Sequence, residues 1–289
     1  MVDNASRDGS ADCLEAVPLP LMVLRNDRNR GFAAACNQGA ALATAETLLF
    51  LNPDTRLKPE AILRPLAELA LRTDERIGLV GIRLEDAQGN VARKCARFPT
   101  PGRLVAHTLG LDRLLPGRFP PHFIVEWDHL STREVDQPMG AFLMVRRRVF
   151  EQLQGFDERF FLYYEDVDLA LRARGIGWKS LYLAEAAVVH IGGGTTNAIR
   201  STRLFYGLRS RIEFAFKHFR PTEAWFVAGA TLILEPMARL LLATVKCDFG
   251  SAGQTVAATL RLWRYAAGRP TRRIGIRRNN DDTRDRAIT

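Results

Sequence analysis

Thr47-Leu-Leu-Phe-Leu-Asn-Pro-Asp54 is a short apolar run that ends on a carboxylate held by proline. Its length and its turn-forming end predict a buried strand over Thr47–Leu51. Upstream, Gly31 to Thr44 is rich in Ala, with Phe32, Ala35, Cys36, Gly39 and Leu42 at helical spacing. Downstream, residues 59–72 suit a helix with Pro59 in its first turn. Ile77-Gly-Leu-Val-Gly-Ile-Arg-Leu84 then predicts another strand, and Asp86 to Asn90 a turn. Nearer the start, Met1-Val2 reads as a strand end, Asp8-Gly9 as a turn, Ser10 to Ala16 as a short helix and Leu21 to Leu24 as a buried strand. This alternation predicts an α/β fold, a mostly parallel sheet flanked by helices. Residues 98–134, with Pro99, Pro101, Pro116, Pro120 and Pro121, read as a long excursion over the active face. Gly140 to Val145 returns as a strand, and Val188-Val-His190 ends one ahead of Gly192-Gly-Gly194.

A chain of 289 residues with 47% hydrophobic and 25% charged residues makes one large domain or two small ones with an ordinary core. Cys13, Cys36, Cys95 and Cys247 show neither metal-ligand nor redox spacing and read as reduced thiols of a cytosolic setting. The first residues lack the basic and apolar regions of a signal peptide. Charge is unevenly placed: residues 1–199 carry 24 Lys+Arg against 25 Asp+Glu, residues 200–289 carry 17 against 7. That asymmetry suggests a near-neutral enzymatic body with a basic attachment region. Phe205, Leu208, Ile212, Phe216 and Phe219 share one helical face among basic residues, the pattern of an interfacial helix. Ala224 to Val245 is long enough to span a bilayer, but Glu235, Pro236 and Arg239 interrupt it. A docked or interfacial helical pair is therefore expected over a span. The divisions are 1–199, a catalytic domain; 200–268, membrane-associating helices; and 269–289, a charged disordered tail. A nucleic-acid-binding protein is the competing class for the basic region. Its cations are interleaved with an apolar face, and no nucleic-acid motif is present.

Phe161-Leu-Tyr-Tyr-Glu-Asp-Val-Asp-Leu169 sets Glu165, Asp166 and Asp168 among apolar side chains. Such a cluster costs stability unless it meets cations or does chemistry. It also reads as the acidic first turn of a helix. Asp3 follows a strand end, where open α/β sheets bind ligands, and equally suits an N-cap. Asp54 suits a divalent cation carrying phosphates, or a simple Pro-Asp turn. His190, at a strand end beside glycines, is a metal or phosphate ligand or a structural histidine.

Together these segments resemble the inverting family 2 glycosyltransferases of the GT-A (Rossmann-like) fold, and within them the bacterial rhamnosyltransferase-like branch. Five blocks carry the resemblance in order: residues 2–10, 29–37, 49–55, 155–169 and 189–190 with the following glycines. The resemblance implies Asp166 as catalytic base with Glu165 beside it. It implies Asp3, Asn29, Gly31, Asn37, Asn52 and Asp54 as the nucleotide-sugar pocket, Gly140 and Ala141 on the acceptor side, and Asp54 and His190 at a Mg²⁺ or Mn²⁺. It further implies a nucleoside-diphosphate sugar donor, with dTDP-rhamnose expected, and a lipid-linked or glycan acceptor. The place of action is the cytoplasmic face of a bacterial membrane, bound peripherally to its anionic surface, with no nucleic-acid partner. Family members begin with a further βα unit of about 35–40 residues, so the first βα unit is expected to be missing here. That departure keeps a catalytically dead scaffold as an alternative.

Overall fold

The computed structural model describes residues 1–9, 11–12, 20–72, 75–191 and 200–268. The expected helix at 10–16, the glycines at 192–194 and the tail at 269–289 lie largely or wholly outside the described residues. Strands β1 (Val2–Asp3) and β2 (Leu24–Arg25) form a small parallel pair of their own. The run at 21–24 is thus strand only at its end. A six-stranded sheet follows, from β3 (Thr47–Leu51), β4 (Thr55–Leu57), β5 (Ile77–Glu85), β6 (Arg133–Val135), β7 (Phe142–Arg146) and β8 (Lys179–His190). Its order is β3–β7–β5–β8–β4, with β6 on β8.

The α/β layering is as expected, but the large sheet is mixed rather than mostly parallel. β5 and β8 run parallel, while β3–β7, β5–β7, β4–β8 and β6–β8 are antiparallel. The reversal comes from β7, which enters the sheet between β3 and β5 after the long 86–141 excursion. That excursion is also not all loop: it contains α3 (Pro101–Thr108), capped by Thr100, and α4 (Leu111–Leu114).

Alternation along β7 builds a core on each side of the sheet. Leu143 and Val145 join Leu48, Phe50 and Leu79 beneath α1 (Phe32–Leu42), α5 (Arg147–Gln152) and α6 (Glu165–Gly175). Phe142 and Met144 join Val80, Ile82 and Leu181 beneath α2 (Glu60–Leu71). Phe50 meets Phe150 and Phe156 with ring centroids 5.0 and 4.8 Å apart, geometry that aromatic quadrupoles favour.

The C-terminal helices are α7 (Arg200–His218), α8 (Pro221–Gly229), α9 (Glu235–Val245) and α10 (Phe249–Ala267). A π-helical turn, Ala230–Leu234, makes Pro221–Val245 one helix, long and apolar enough to cross a membrane. The face of α7 expected to meet lipid is covered by protein instead. Phe205, Leu208 and Ile212 pack on Ala228, Ala258 and Leu262, and Phe214 packs on Phe160 and Val167. An amphipathic pattern specifies an apolar neighbour, not which one.

Asp168 ties α7 to α6. Its side chain is fully buried and meets Arg172 at 2.7 Å, His218 at 2.7 Å and Lys217. These hydrogen bonds and cations outweigh the desolvation that opposes them and hold its carboxyl below the usual range. A depressed folded value means stability that is present above the unfolded carboxylate value and lost as pH falls through the folded one. Asp168→Asn should therefore destabilise the chain by roughly 3–5 kcal/mol at pH 7, because buried cations lose their counter-charge. The difference should shrink below about pH 4. Urea denaturation of both chains from pH 7 to pH 3 measures it.

Candidate active site

The acid cluster opens α6, and the chain reaches it through a strained loop. Tyr163 and Tyr164 lie in the left-handed region, at φ 67° and 71°. Such backbone costs about 1–2 kcal/mol per non-glycine residue. Each residue of the loop is held by α7. Phe161 stacks on Tyr206 at 4.5 Å, and the Leu162 carbonyl accepts from Ser210 Oγ. The Tyr163 hydroxyl accepts from Arg203, and Tyr164 packs on Phe214.

This placement gives the three carboxylates different surroundings. Asp168 points into the cation cluster just described. Asp166 points the other way: its Oδ2 accepts from the Gly140 N–H at 3.1 Å and its Oδ1 from the Val167 N–H at 2.8 Å, with Gln137 as a further partner. A Cβ on residue 140 would stand 2.9 Å from Asp166 Oδ2, so this approach requires glycine. Burial raises the proton affinity of Asp166, and these hydrogen bonds partly offset it. Glu165 is 7% exposed, near the half-buried Cys36 thiol, and its Oε2 has no hydrogen-bond partner. Burial first, then the Asp166 charge, lifts Glu165 well above the usual carboxylate range.

The second cluster adjoins the first through Gly140-Ala141. Asn52 N–H donates to the Ala141 carbonyl at 3.0 Å, fastening the end of β3 beside the Asp166 contact. Thr55 Oγ1 closes the Asn-Pro-Asp turn on the Asn52 carbonyl, and Thr55 pairs with His190 across β4 and β8. That register sets Asp54 Oδ1 3.2 Å from His190 Nε2. A carboxylate and an imidazole at this spacing suit one edge of a divalent cation whose other ligands are phosphate and water. Among the described residues no group of three or more His, Cys, Asp or Glu forms a metal cage, so the chain offers two donors.

The remaining expected residues divide. Asp3 Oδ1 accepts from Ser6 N–H, and the Ser6 hydrogen bonds hold its carboxyl below the usual range. Asn4 binds the Asn29 side chain and the Gly31 carbonyl, and Asn29 accepts from Gly31 N–H. Gly31, at φ 91°, lets Phe32 N–H reach the Phe161 carbonyl, where a Cβ would collide at 2.7 Å. The Asp3–Gly31 segment thereby abuts the acid loop. Asn37 stands apart from this group. Its amide bonds the Phe156 carbonyl, Phe156 N–H and Glu158, docking α1 on the loop at 155–158. Sequence reasoning missed Asn4, Gln137, Arg203 and Arg211. Asn4 and Gln137 adjoin residues it chose, Asp3 and the Gly140 segment, whereas nothing local marks the two arginines.

The family description "Glycosyl transferase family 2" matches residues 1–154. This chain belongs to glycosyl transferase family 2. The N-acetylglucosaminyl-diphospho-decaprenol L-rhamnosyltransferase of Mycobacterium tuberculosis H37Rv is 31% identical over 203 residues, 66% of this chain and 65% of that one. Rhamnosyltransferase WbbL of Escherichia coli K12 is 25% identical over 173 residues, 60% of this chain and 62% of that one. The family 2 chain thus spans just under two thirds of these relatives' length. In fold it is similar to a mannosyltransferase from Pyrobaculum calidifontis solved with GDP-Man and Mn²⁺, at TM-score 0.51 and 17% identity, covering 91% of this chain and 76% of that one.

In this family 2 chain burial raises the proton affinity of Glu165, which gives a stability test. A carboxyl with a raised folded value loses stability as pH climbs from the unfolded value toward the folded one, because only the unfolded state releases the proton. Glu165→Gln removes that loss. The variant should match the parent near pH 4 and become progressively more stable than it as pH rises to 8, as read from urea midpoints.

Proposed function

We propose that this chain transfers a sugar, with inversion at the anomeric carbon, from a nucleoside-diphosphate sugar to the hydroxyl of a lipid-linked or glycan acceptor. The observation that carries this reading is Asp166. It is fastened to Gly140 and Val167 N–H groups, lines a cavity of about 460 Å³, and adjoins the Asp54–His190 turn through Gly140-Ala141. Direct displacement by a hydroxyl needs one base at the attacking oxygen. Asp166 takes that proton, and burial brings its affinity toward working pH. Glu165, whose proton affinity burial raises, lies beside it.

Asp3 receives the donor's base or ribose, with Asn29, Gly31 and Asn52 shaping the pocket. Asp54 and His190 would hold a divalent cation, Mg²⁺ or Mn²⁺, which when bound neutralises charge on the departing diphosphate. Rhamnose is the sugar of this reading, supported by the names of the two relatives above; delivery from dTDP-rhamnose and a role in cell-wall or surface-polysaccharide synthesis belong to the same proposal.

The chain sits peripherally on the cytoplasmic face of a bacterial membrane through α8 to α10. Trp225, Phe226, Met237, Leu241, Phe249 and Trp263 are exposed there, Leu241 at 68% and Phe249 at 83%. Exposed Lys246, Arg261 and Arg264 accompany them, a combination suited to anionic headgroups.

Asp166→Asn should lower transfer by about 10²–10⁴-fold and leave nucleoside-diphosphate affinity within about twofold of the parent. Turnover retained in that variant removes the base assignment. A thermal-shift panel of nucleotide sugars with Mg²⁺ and Mn²⁺ identifies the donor; stabilisation by none of them removes the donor reading.

A further inference from the structure

The cavity that holds Asp166 is markedly cationic. Lys94, Arg203, Arg211 and Arg239 line it with Glu165, Asp166 and the half-buried His122. Arg211 and Arg239 share one counter-charge, Glu235, at 2.8 and 2.7 Å. Lys94 and Arg203 meet no carboxylate among the described residues. Lys94 Nζ lies 5.1 Å from the Phe123 ring centroid, and Arg203 donates only to the Tyr163 hydroxyl. Arg211 is nine-tenths buried, and its Nε has no hydrogen-bond partner. Cations gathered in a half-enclosed space in excess of the acids beside them raise the local concentration of anions. Fixed guanidinium forks favour phosphate oxygens in particular.

The same cavity is apolar elsewhere, where Phe123, Met139, Leu204 and Leu208 line it. Helix α9 separates it from the exposed apolar surface. Glu235 and Arg239, one turn apart, face inward, while Met237, Leu241 and Val245 lie exposed at 61%, 68% and 73%. A helix is about 10–12 Å across. A bilayer on the outer side of α9 would thus lie about one helix diameter from the cavity.

We infer that Lys94 and Arg203, backed by Arg211 and Arg239, form the subsite for the diphosphate of a lipid-diphosphate-linked sugar acceptor. The lipid leaves along α9 and the sugar hydroxyl lies at Asp166. This rests on the transfer reading above and commits it to one acceptor class, a prenyl-type diphosphate rather than a neutral glycan. The diphosphate fixes the acceptor's position, because it is the one group common to acceptors of this class that can meet four cations. Arg203 has a second task. Its bond to Tyr163 joins the subsite to the strained loop that aims Asp166, so an occupied subsite and an aligned base share one side chain.

The test uses the full chain and farnesyl diphosphate as probe, in metal-free buffer so that Asp54 and His190 do not recruit it. Calorimetry should show farnesyl diphosphate bound at least about tenfold tighter than farnesyl monophosphate or inorganic pyrophosphate. Lys94→Gln, at an exposed position where folding is not at stake, should weaken it about fivefold or more, and Arg203→Gln similarly. The double variant should lose about thirtyfold or more, with dTDP affinity measured with Mg²⁺ within about twofold of the parent. Unchanged farnesyl-diphosphate affinity in the double variant overturns the subsite. So does displacement of the probe by dTDP, which would put it in the donor pocket. Pyrophosphate binding as tightly overturns the lipid assignment. A chain that holds farnesyl diphosphate through these residues yet binds no nucleotide sugar would instead sink the transfer reading and leave this subsite standing.

Discussion

The loop from Phe161 to Tyr164 is the constraint on which the site depends. Two tyrosines in left-handed backbone are unfavourable in isolation, and no glycine relieves them. What holds them is α7, through a ring stack at Phe161, a hydroxyl on the Leu162 carbonyl, an arginine on the Tyr163 hydroxyl and a phenylalanine against Tyr164. With the loop so fixed, α6 starts where Asp166 faces Gly140 and Asp168 faces inward. A relaxed loop would turn both carboxylates together. Helix α7 is in this sense part of the site, although it begins about 30 residues after the last acid of the cluster.

The cluster shows how one short run of sequence sets three carboxyls in three different surroundings. All three acids occupy the first turn of the same helix, so the helix dipole favours each anion to a similar degree. What separates them is what each meets. Asp168 meets three cationic or protonatable partners and stays ionised; Asp166 meets two backbone N–H groups and Gln137; Glu165 meets apolar surface and a thiol. Those differences exceed the dipole contribution, as desolvation and pairing generally do. Asp168 is taken up by its cations, which leaves Asp166 as the acid whose oxygens face the Gly140 segment and the cavity.

Much of this was legible in the sequence, for identifiable reasons. The strand at 47–51 carries its own apolar run and its own stop, whereas the close backbone approaches at Gly140 and Gly31 emerge only in the fold. The acids, the Asn-Pro-Asp turn and His190 come in an order that a family shares. Strand direction was not legible, because a buried strand reads the same in parallel and antiparallel pairing. Asn37's contact with the 155–158 loop was not legible either, because an amide that docks a helix on a loop and one that faces a nucleotide are the same residue type. The lining arginines were hidden for a related reason. Arg203, Arg211 and Arg239 look like the polar side of a surface helix until the fold turns that side inward.

Glu235 makes the point most sharply. In the sequence it breaks an apolar stretch and argues against a simple span. In the fold it is buried, hydrogen-bonded to Thr108 at 2.7 Å and paired with Arg211 and Arg239, and those partners bring its carboxyl down to about 2. An ion pair there adds little stability over apolar side chains of the same volume, since desolvating the charges offsets most of their attraction. Its effect is on direction. An apolar helix alone could rotate on α7 at small cost, whereas a helix with one buried carboxylate must keep that face on Arg211. The rotation so fixed turns Arg239 toward the cavity and Met237, Leu241 and Val245 away from it. The charge that interrupts the apolar run is thus what gives the run a definite inner and outer side.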